Sequence, residues 1–387
     1  MKVMLLSPGT THSEKTVRML LDSGHTVTFL GDHNPIINAH PGYRFFYYPS
    51  GALRYKKGFA KTNVLLDLFW RVYLKLVWIM VKPDIVHVHM IDVRAYDCVW
   101  GNLHPLILTA WGSDINYLTV PGFYKETYIK NILKALSLAD HITADANEIL
   151  QKCESLIGHK LSNSLYYIGI DFTLFKPGYL QEARNLKQAL RIPQNDRVIL
   201  SVRAFKPKLG HHLILDAFAK LVAEPRYRNT HLVLKRFNVS HSGYEEQIKS
   251  QVEQLGLKNL VTWIDSVPDE EMPILYAMSD VVVNYPETDG FPVSFIETAA
   301  CKRPMVSTNL PAYAGTFPEG SFWMVPPNSI PELAKAFMDV LSAHPAEIDR
   351  RTGKAFAHAE EIGAWSQWAH LTENLYKQVV SQVGNKT

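Results

Sequence analysis

Short apolar runs alternate with longer amphipathic stretches along nearly the whole chain. In the first half, Val3–Leu6, Thr26–Leu30, Tyr43–Tyr48, Ile85–His89, Leu106–Ala110 and His141–Ala144 read as strands, and helical spacing fills Ser13–Ser23, Leu65–Val81 and Tyr124–Ser137. The second half repeats the rhythm with strands at Val198–Val202, His231–Lys235, Val261–Ile264, Asp280–Asn284, Met305–Ser307 and Phe322–Val325. Its helices are expected at His212–Ala223, Tyr244–Leu255, Glu270–Ala277 and Pro331–Leu341. Buried strands alternating with helices predict parallel, doubly wound α/β sheets. Two successive sets predict two Rossmann-like domains, residues 1–180 and 181–364, which change over in the Pro-, Gly-, Gln- and Asn-rich stretch Phe175–Asn195. A last helix, about Trp365–Val383, carries Trp365, Trp368, Leu371, Leu375 and Val379 near helical spacing, so one of its faces needs a partner.

Composition narrows the class without naming it. Among 387 residues, 47% are hydrophobic and 20% charged, an ordinary globular balance, and a net charge of +3 is too small to make nucleic acid the main partner. The three cysteines, Cys98, Cys153 and Cys301, lie far apart, which fits a reducing, cytoplasmic setting better than a disulfide framework. Met1–Leu6 runs directly into Ser7-Pro8-Gly9, with no pattern of a secretory signal. No metal site is expected, because the 16 histidines show no HExxH or Cys/His ligand spacing and no DxD pair occurs. The apolar stretch Leu65–Val81 is interrupted by Asp67, Arg71 and Lys75 and falls short of a spanning helix. Those three residues share one face at i, i+4 spacing, which predicts a buried helix with a salt-bridged stripe toward solvent. The preceding basic and aromatic loop, Arg54–Lys61, leaves peripheral contact with the inner face of a membrane as an expectation.

Four constellations carry chemistry. Asp289-Gly290-Phe291-Pro292-Val293-Ser294-Phe295-Ile296-Glu297 follows an apolar strand and enters a helix, so two carboxylates bracket a turn whose free N–H groups suit a phosphate. Carboxylates accept sugar hydroxyls, and the combination suggests a nucleotide-sugar pocket. Ser201–Gly210 places Arg203, Lys206 and Lys208 between a strand and a helix, where three cations can neutralise a diphosphate. Ser7-Pro8-Gly9-Thr10-Thr11-His12 follows the first strand, and Gly9 permits close backbone approach to a ligand. It is not a GxGxxG fingerprint, which disfavours a dehydrogenase. At the ends of two further predicted strands stand His89, Trp111 and Asp114: His87 reads as core and His89 as the better candidate for touching substrate, while Asp114 either accepts acceptor hydroxyls or caps the helix near Ile115.

Together these residues resemble the E-x7-E signature of retaining, GT-B fold glycosyltransferases of the glycogen-synthase-like group-1 class. The block Asp289–Pro304 carries the signature; Asp84–His89, Ala139–Thr143, Ile168–Pro177, Leu260–Asp265 and Leu275–Asp280 resemble its surroundings in the expected order. The resemblance implies two domains facing a central cleft, acceptor binding in the first and donor binding in the second, and a last helix, residues 365–387, that crosses back to the first. It implies that Glu297 holds the donor ribose and Asp289 the sugar hydroxyls. Gly290, Phe291, Pro292 and Val293 would line sugar and phosphates, and Arg203 with Lys206 or Lys208 would clamp the diphosphate. Arg203, Lys208, Asp289 and His89 are the expected catalytic groups; Gly9 joins the donor side, and Thr10, His12, His89, Trp111 and Asp114 the acceptor side. The implied activity is metal-independent, retaining transfer from a nucleoside-diphosphate sugar to a glycan or lipid-linked acceptor, in cell-surface polysaccharide or glycolipid synthesis. A nucleotide-sugar 2-epimerase and a non-catalytic sugar-nucleotide-binding protein remain alternatives. Four positions depart from the pattern: Asp289 replaces the longer acid, Pro292 lacks an N–H, Leu209 stands where a lysine is usual, and Trp111 where a histidine is.

Overall fold

A computed structural model describes residues 1–35, 40–49, 64–236 and 242–385; the expected basic loop Arg54–Lys61 lies outside them. The chain divides into two compact units: Met1–Ile168 with Trp365–Thr387, and Gly169–Ala364. The stretch 175–195, where composition suggested a change of domain, belongs to the second unit and contains a helix, Leu180–Ala189.

In the first unit the strands are β1 (Lys2–Leu6), β2 (Thr26–Gly31), β3 (Tyr43–Tyr47), β4 (Ile85–His89), β5 (Leu106–Ala110), β6 (His141–Ala144) and β7 (Asn163–Leu165). They form one sheet of order β3-β2-β1-β4-β5-β6-β7, with every pair parallel. Its helices are α1 (Thr11–Asp22), α2 (Val64–Val81), α3 (Val93–Trp100), α4 (Ser113–Asn116), α5 (Glu126–Leu138) and α6 (Asn147–Ile157). The order reverses between β1 and β4, so the loops after these two strands open a crevice at the strands' carboxyl ends, where ligands of such sheets bind.

The second unit begins with α7 (Leu180–Ala189). It continues β8 (Arg197–Ser201), α8 (His211–Ala223), β9 (Thr230–Lys235), α9 (Ser242–Gln254), β10 (Val261–Ile264), α10 (Met272–Met278) and β11 (Val281–Asn284). After these come α11 (Val293–Ala300), β12 (Met305–Thr308), β13 (Trp323–Val325), α12 (Ile330–Ser342) and α13 (Pro345–Gly363). The sheet order is β10-β9-β8-β11-β12-β13, again parallel, and the reversal lies between β8 and β11. The basic loop Ser201–Gly210 and the carboxylate block at Asp289 follow these two strands.

The last helix, α14 (Trp365–Gly384), returns to the first sheet. Trp368, Leu375, Tyr376 and Val379 are buried with Val3, Leu5, Phe29 and Ile85. Leu371, expected on that face, is half exposed, because the buried stripe centres on Thr372 and Tyr376 instead. Tyr376 Oη and Thr109 Oγ1 lie 2.8 and 2.6 Å from the two ring nitrogens of His87, so this histidine is a satisfied core residue.

Helix α2 reverses its predicted orientation. The Asp67–Arg71–Lys75 stripe was expected to face solvent, but Arg71 Nε donates to Asp97 Oδ1 at 2.9 Å and Lys75 Nζ to the Gly101 carbonyl at 2.6 Å. Asp97 is buried on α3 and also takes the hydroxyl of Tyr48. A buried carboxylate needs a cation, so Arg71 turns inward and the opposite, apolar side of α2 turns out. Among the described residues, no helix is long and apolar enough to cross a membrane.

Candidate functional site

In the second unit, β8 delivers Arg203 and β11 delivers the block after Asn284. Arg203 Nη2 donates to Asp289 Oδ2 at 2.5 Å, and Tyr313 Oη donates to the same oxygen at 3.0 Å. Asn284 Nδ2 extends the chain to Tyr313 Oη at 3.2 Å and Ser307 Oγ at 3.3 Å. The other oxygen of Asp289 accepts the Gly290 N–H at 3.1 Å. Asp289 is thus already loaded with donors, and a sugar hydroxyl reaching it competes with Arg203. Burial, then the charge of Asp289, pushes the Tyr313 phenol well above its ordinary range, which keeps it a donor.

Glu297 lies one turn into α11, buried, and accepts the Tyr276 hydroxyl at 2.7 Å. Lys235, buried at the carboxyl end of β9, feels its charge: burial lowers the Lys235 ammonium, and Glu297 then Asp269 oppose that. Lys206 is exposed, and desolvation followed by the charges of Lys208 and Arg203 holds it below the usual lysine value. Lys208 is half-buried beside it on the same loop, where its carbonyl accepts from Glu287 N at 2.8 Å. Gly210 closes that loop with φ +71°, and a Cβ there would meet the Tyr285 carbonyl oxygen at 2.1 Å, so only glycine fits.

Val293 and Ser294 open α11, where N–H groups have no intrahelical acceptor. Pro292 is the residue before it, and its carbonyl accepts from Phe295 N at 3.0 Å. The Phe291 side chain is buried, 5.4 Å from the Phe295 ring and 6.0 Å from Phe317. Apolar burial of the ring overrides exposure, so this residue offers backbone only. Around the strand ends, Arg203 Nε, Asn284 Oδ1, Ser294 Oγ and Thr308 Oγ1 are buried without a hydrogen-bond partner. Buried polar atoms are normally paired, and four orphans at one sheet edge mark a place that polar ligand groups would complete.

In the first unit, the turn after β1 is closed by its own hydroxyls: Ser13 Oγ lies 2.7 Å from Ser7 Oγ and donates to the Pro8 carbonyl at 3.0 Å. Thr10 is exposed at the start of α1, with its N–H 3.3 Å from Ser13 Oγ. A Cβ on Gly9 would meet the His33 carbonyl oxygen at 2.4 Å, so close backbone packing already requires the glycine. The half-buried rings of His12 and Trp111 meet edge-on at 5.5 Å.

His89 sits deeper than its strand-end position suggested. It is fully buried, 4.3 Å from the His87 ring and 6.0 Å from Trp111, and neither of its nitrogens has a partner. Burial, with smaller contributions from His12 and Arg94, pulls its pKa down to about 3, so the ring is neutral at physiological pH. Asp114 takes backbone rather than solvent: it accepts from Ile91 N at 2.7 Å, Trp111 N at 3.0 Å and Ile115 N at 3.2 Å. The N-cap of α4 is Gly112 and no side chain caps it; Asp114, inside the helix, instead ties the loop after β4 to the loop after β5. Burial outweighs these bonds and raises its pKa to about 6.

Sequence reading missed Lys235, Asn284, Ser294, Tyr276, Tyr313 and Arg94. Lys235 and Asn284 carried a signal, each being the polar residue that ends an apolar strand. Arg94 is wholly buried against Asp92, which takes its Nε and Nη2 at 2.9 Å each; only the fold identifies it.

Residues 182–356 match the family described as Glycosyl transferases group 1, and residues 2–145 match Glycosyl transferase 4-like. The D-inositol 3-phosphate glycosyltransferase of Corynebacterium urealyticum is 28% identical over 242 residues, 62% of this chain and 54% of that protein. A second protein of that name, from Catenulispora acidiphila, is 24% identical over 255 residues, 65% of this chain and 58% of its own. The chain thus spans little more than half the length of these curated relatives. Among solved structures, sucrose-phosphate synthase from Thermosynechococcus elongatus superposes with a TM-score of 0.79 at 18% identity, covering 99% of this chain and 100% of the other. Anabaena HepE in complex with UDP-glucose gives 0.76 at 16% identity, with 100% of each chain covered. These likenesses establish the GT-B fold.

Proposed function

Because the chain belongs to the group 1 glycosyl transferases, we propose that it moves a sugar from a nucleoside diphosphate to an acceptor hydroxyl with retention of anomeric configuration. The observation that carries this reading is the linked set Arg203–Asp289–Tyr313–Asn284 beside the α11 N-terminus, with four unpartnered buried polar atoms around it. A diphosphate matches the cations Arg203, Lys206 and Lys208 and the first amides of α11. Glu297 suits a ribose and Asp289 the donor sugar. HepE is a neighbour solved with UDP-glucose, which makes a UDP-hexose the first donor to try.

The chemistry runs as a same-face displacement. The bond between the anomeric carbon and the phosphate oxygen breaks, and a bond to the acceptor oxygen forms on the same face. The acceptor proton passes to the departing phosphate. Arg203 and the α11 amides stabilise the charge that develops on the diphosphate, and this makes a divalent metal unnecessary. The acceptor is a glycan or lipid-linked hydroxyl of cell-surface polysaccharide or glycolipid synthesis. The first unit would hold it at the turn after β1 and at Trp111, with His89 and Asp114 positioning those loops.

Incubation with UDP-hexose, with and without polyol-phosphate and glycolipid acceptors, and with EDTA in parallel, tests the proposal. The expected result is an acceptor-dependent α-linked product that EDTA leaves unchanged. Rearranged nucleotide sugar without acceptor would instead identify an epimerase, and binding without turnover a non-catalytic protein.

A further inference from the structure

Lys235 ends β9 and is only 4% exposed. Lysine is almost never buried so far unless its ammonium has something to hold. Leu200 of β8 pairs with Val233 of β9 on one side and with Val282 of β11 on the other. Two residues further along, Lys235 and Asn284 therefore stand level on one face of the sheet, two strand spacings or about 10 Å apart. The alternate residues Leu234 and Val283 lie on the opposite face, in the core of the unit. Asn284 belongs to the network of Tyr313 and Asp289, the side given to the donor sugar. Lys235 stands across β8 from that network. Burial lowers its ammonium, and Glu297, ahead of Asp269, is the charge that opposes this.

Glu297, 8% exposed, accepts the Tyr276 hydroxyl at 2.7 Å. Burial, then the charge of Glu297, holds that phenol well above its ordinary range, so its proton stays on the tyrosine. The place thus offers a carboxylate, which only accepts, beside an ammonium, which only donates. A vicinal diol answers both, because each of its hydroxyls donates one hydrogen bond and accepts others. A phosphate would meet the charge of Glu297, and an apolar group would keep two charges out of water for no gain. Replacing such a buried pair by apolar residues is often neutral or stabilising, so holding the fold is a weak reason for it to be there. Given the donor reading, which places a ribose at Glu297, we propose that Lys235 completes the ribose site. Its ammonium donates to an oxygen of the ribose diol while Glu297 accepts from the diol, and together they select a donor with both hydroxyls present. Lys235 touches the ribose and not the reacting atoms, so it acts through donor affinity.

The test is isothermal titration of the full chain with UDP, GDP and ADP, each beside its 2′-deoxy and 3′-deoxy analogues, on the wild type and on Lys235→Met. In the wild type, removing one of the two hydroxyls should weaken the best-bound nucleotide about 10- to 100-fold, the usual worth of a hydrogen bond to a charged group. Lys235→Met should weaken the parent nucleotide by a similar factor and that deoxy analogue by no more than about twofold, because side chain and hydroxyl are lost as one contact. A purely structural role would weaken parent and analogues equally. The proposal is overturned if the wild type binds both deoxy analogues as tightly as the parent, a comparison that needs no variant. It is also overturned if Lys235→Met loses nothing, or loses the same factor against parent and analogues. If no nucleoside diphosphate binds the wild type, the donor reading falls and the ribose assignment with it. Binding of the parent without discrimination removes the ribose assignment alone and leaves the donor reading standing.

Discussion

At the scale of single residues, the carboxylates divide by what they already hold. Asp289 accepts from Arg203, Tyr313 and Gly290, and Glu297 accepts from Tyr276. Arg203→Ala should lower transfer by roughly 100- to 1000-fold, the usual loss for one donor that stabilises a developing oxyanion, and should also raise KM for the donor; steady-state kinetics read both. Glu297→Ala should mainly raise KM for the donor. Asp114 is a different case. Its pKa rises from 3.8 to about 6 in the fold, so the stability it contributes is complete below pH 3.8 and is lost as pH rises through about 6. The swing amounts to about 3 kcal/mol, and carboxyl NMR titration of Asp114 should show a midpoint near 6.

At the scale of elements, one glycine holds a loop at the strand ends and one helix completes the first core. Gly210→Ala combines positive φ with a 2.1 Å approach to the Tyr285 carbonyl oxygen and should cost about 1–3 kcal/mol or more, read as a drop in the urea midpoint. Trp368→Ala empties a fully buried site under α14 and should cost about 3–5 kcal/mol. Period and polarity in the sequence made most strands and the main helices legible, because their apolar residues recur at the spacing of the element. Helix α7 was hidden by its composition of Gln, Asn and Arg, with only Ala183 buried. Helix α2 was read with its faces exchanged. Its apolar residues point nearly all round, so the pattern could not say which side is inward, and the answer lay in Asp97 on another helix. For the same reason Asp289 and Glu297 were visible as a motif, whereas Tyr313 and Tyr276, which bind them, were not.

At the scale of the whole molecule, both units bury neutral histidines. His89 and His141 in the first unit, with pKa values of about 3 and about 4, and His211 in the second, at about 3, owe these values first to burial. A depressed base stabilises the fold above its unfolded value of 6.5 and loses that contribution as pH falls. Between pH 6.5 and about 5 each loses about 2 kcal/mol, against roughly 1 kcal/mol regained from Asp114. The melting temperature should therefore fall steadily from pH 7 to pH 5, which calorimetry at several pH values checks; a rise over that range would show that these rings are charged in the fold.

The central claim is that the second unit binds a nucleoside-diphosphate sugar through Arg203 and the start of α11. A thermal-shift panel of UDP-, GDP-, ADP-, CMP- and dTDP-sugars on the wild-type chain and on Arg203→Ala tests it most directly. The account predicts that a nucleoside-diphosphate sugar stabilises the wild type, by about 2.7 kcal/mol at 100 times its dissociation constant, and that Arg203→Ala loses most of that shift. No shift with any sugar nucleotide, or an undiminished shift in Arg203→Ala, would contradict it.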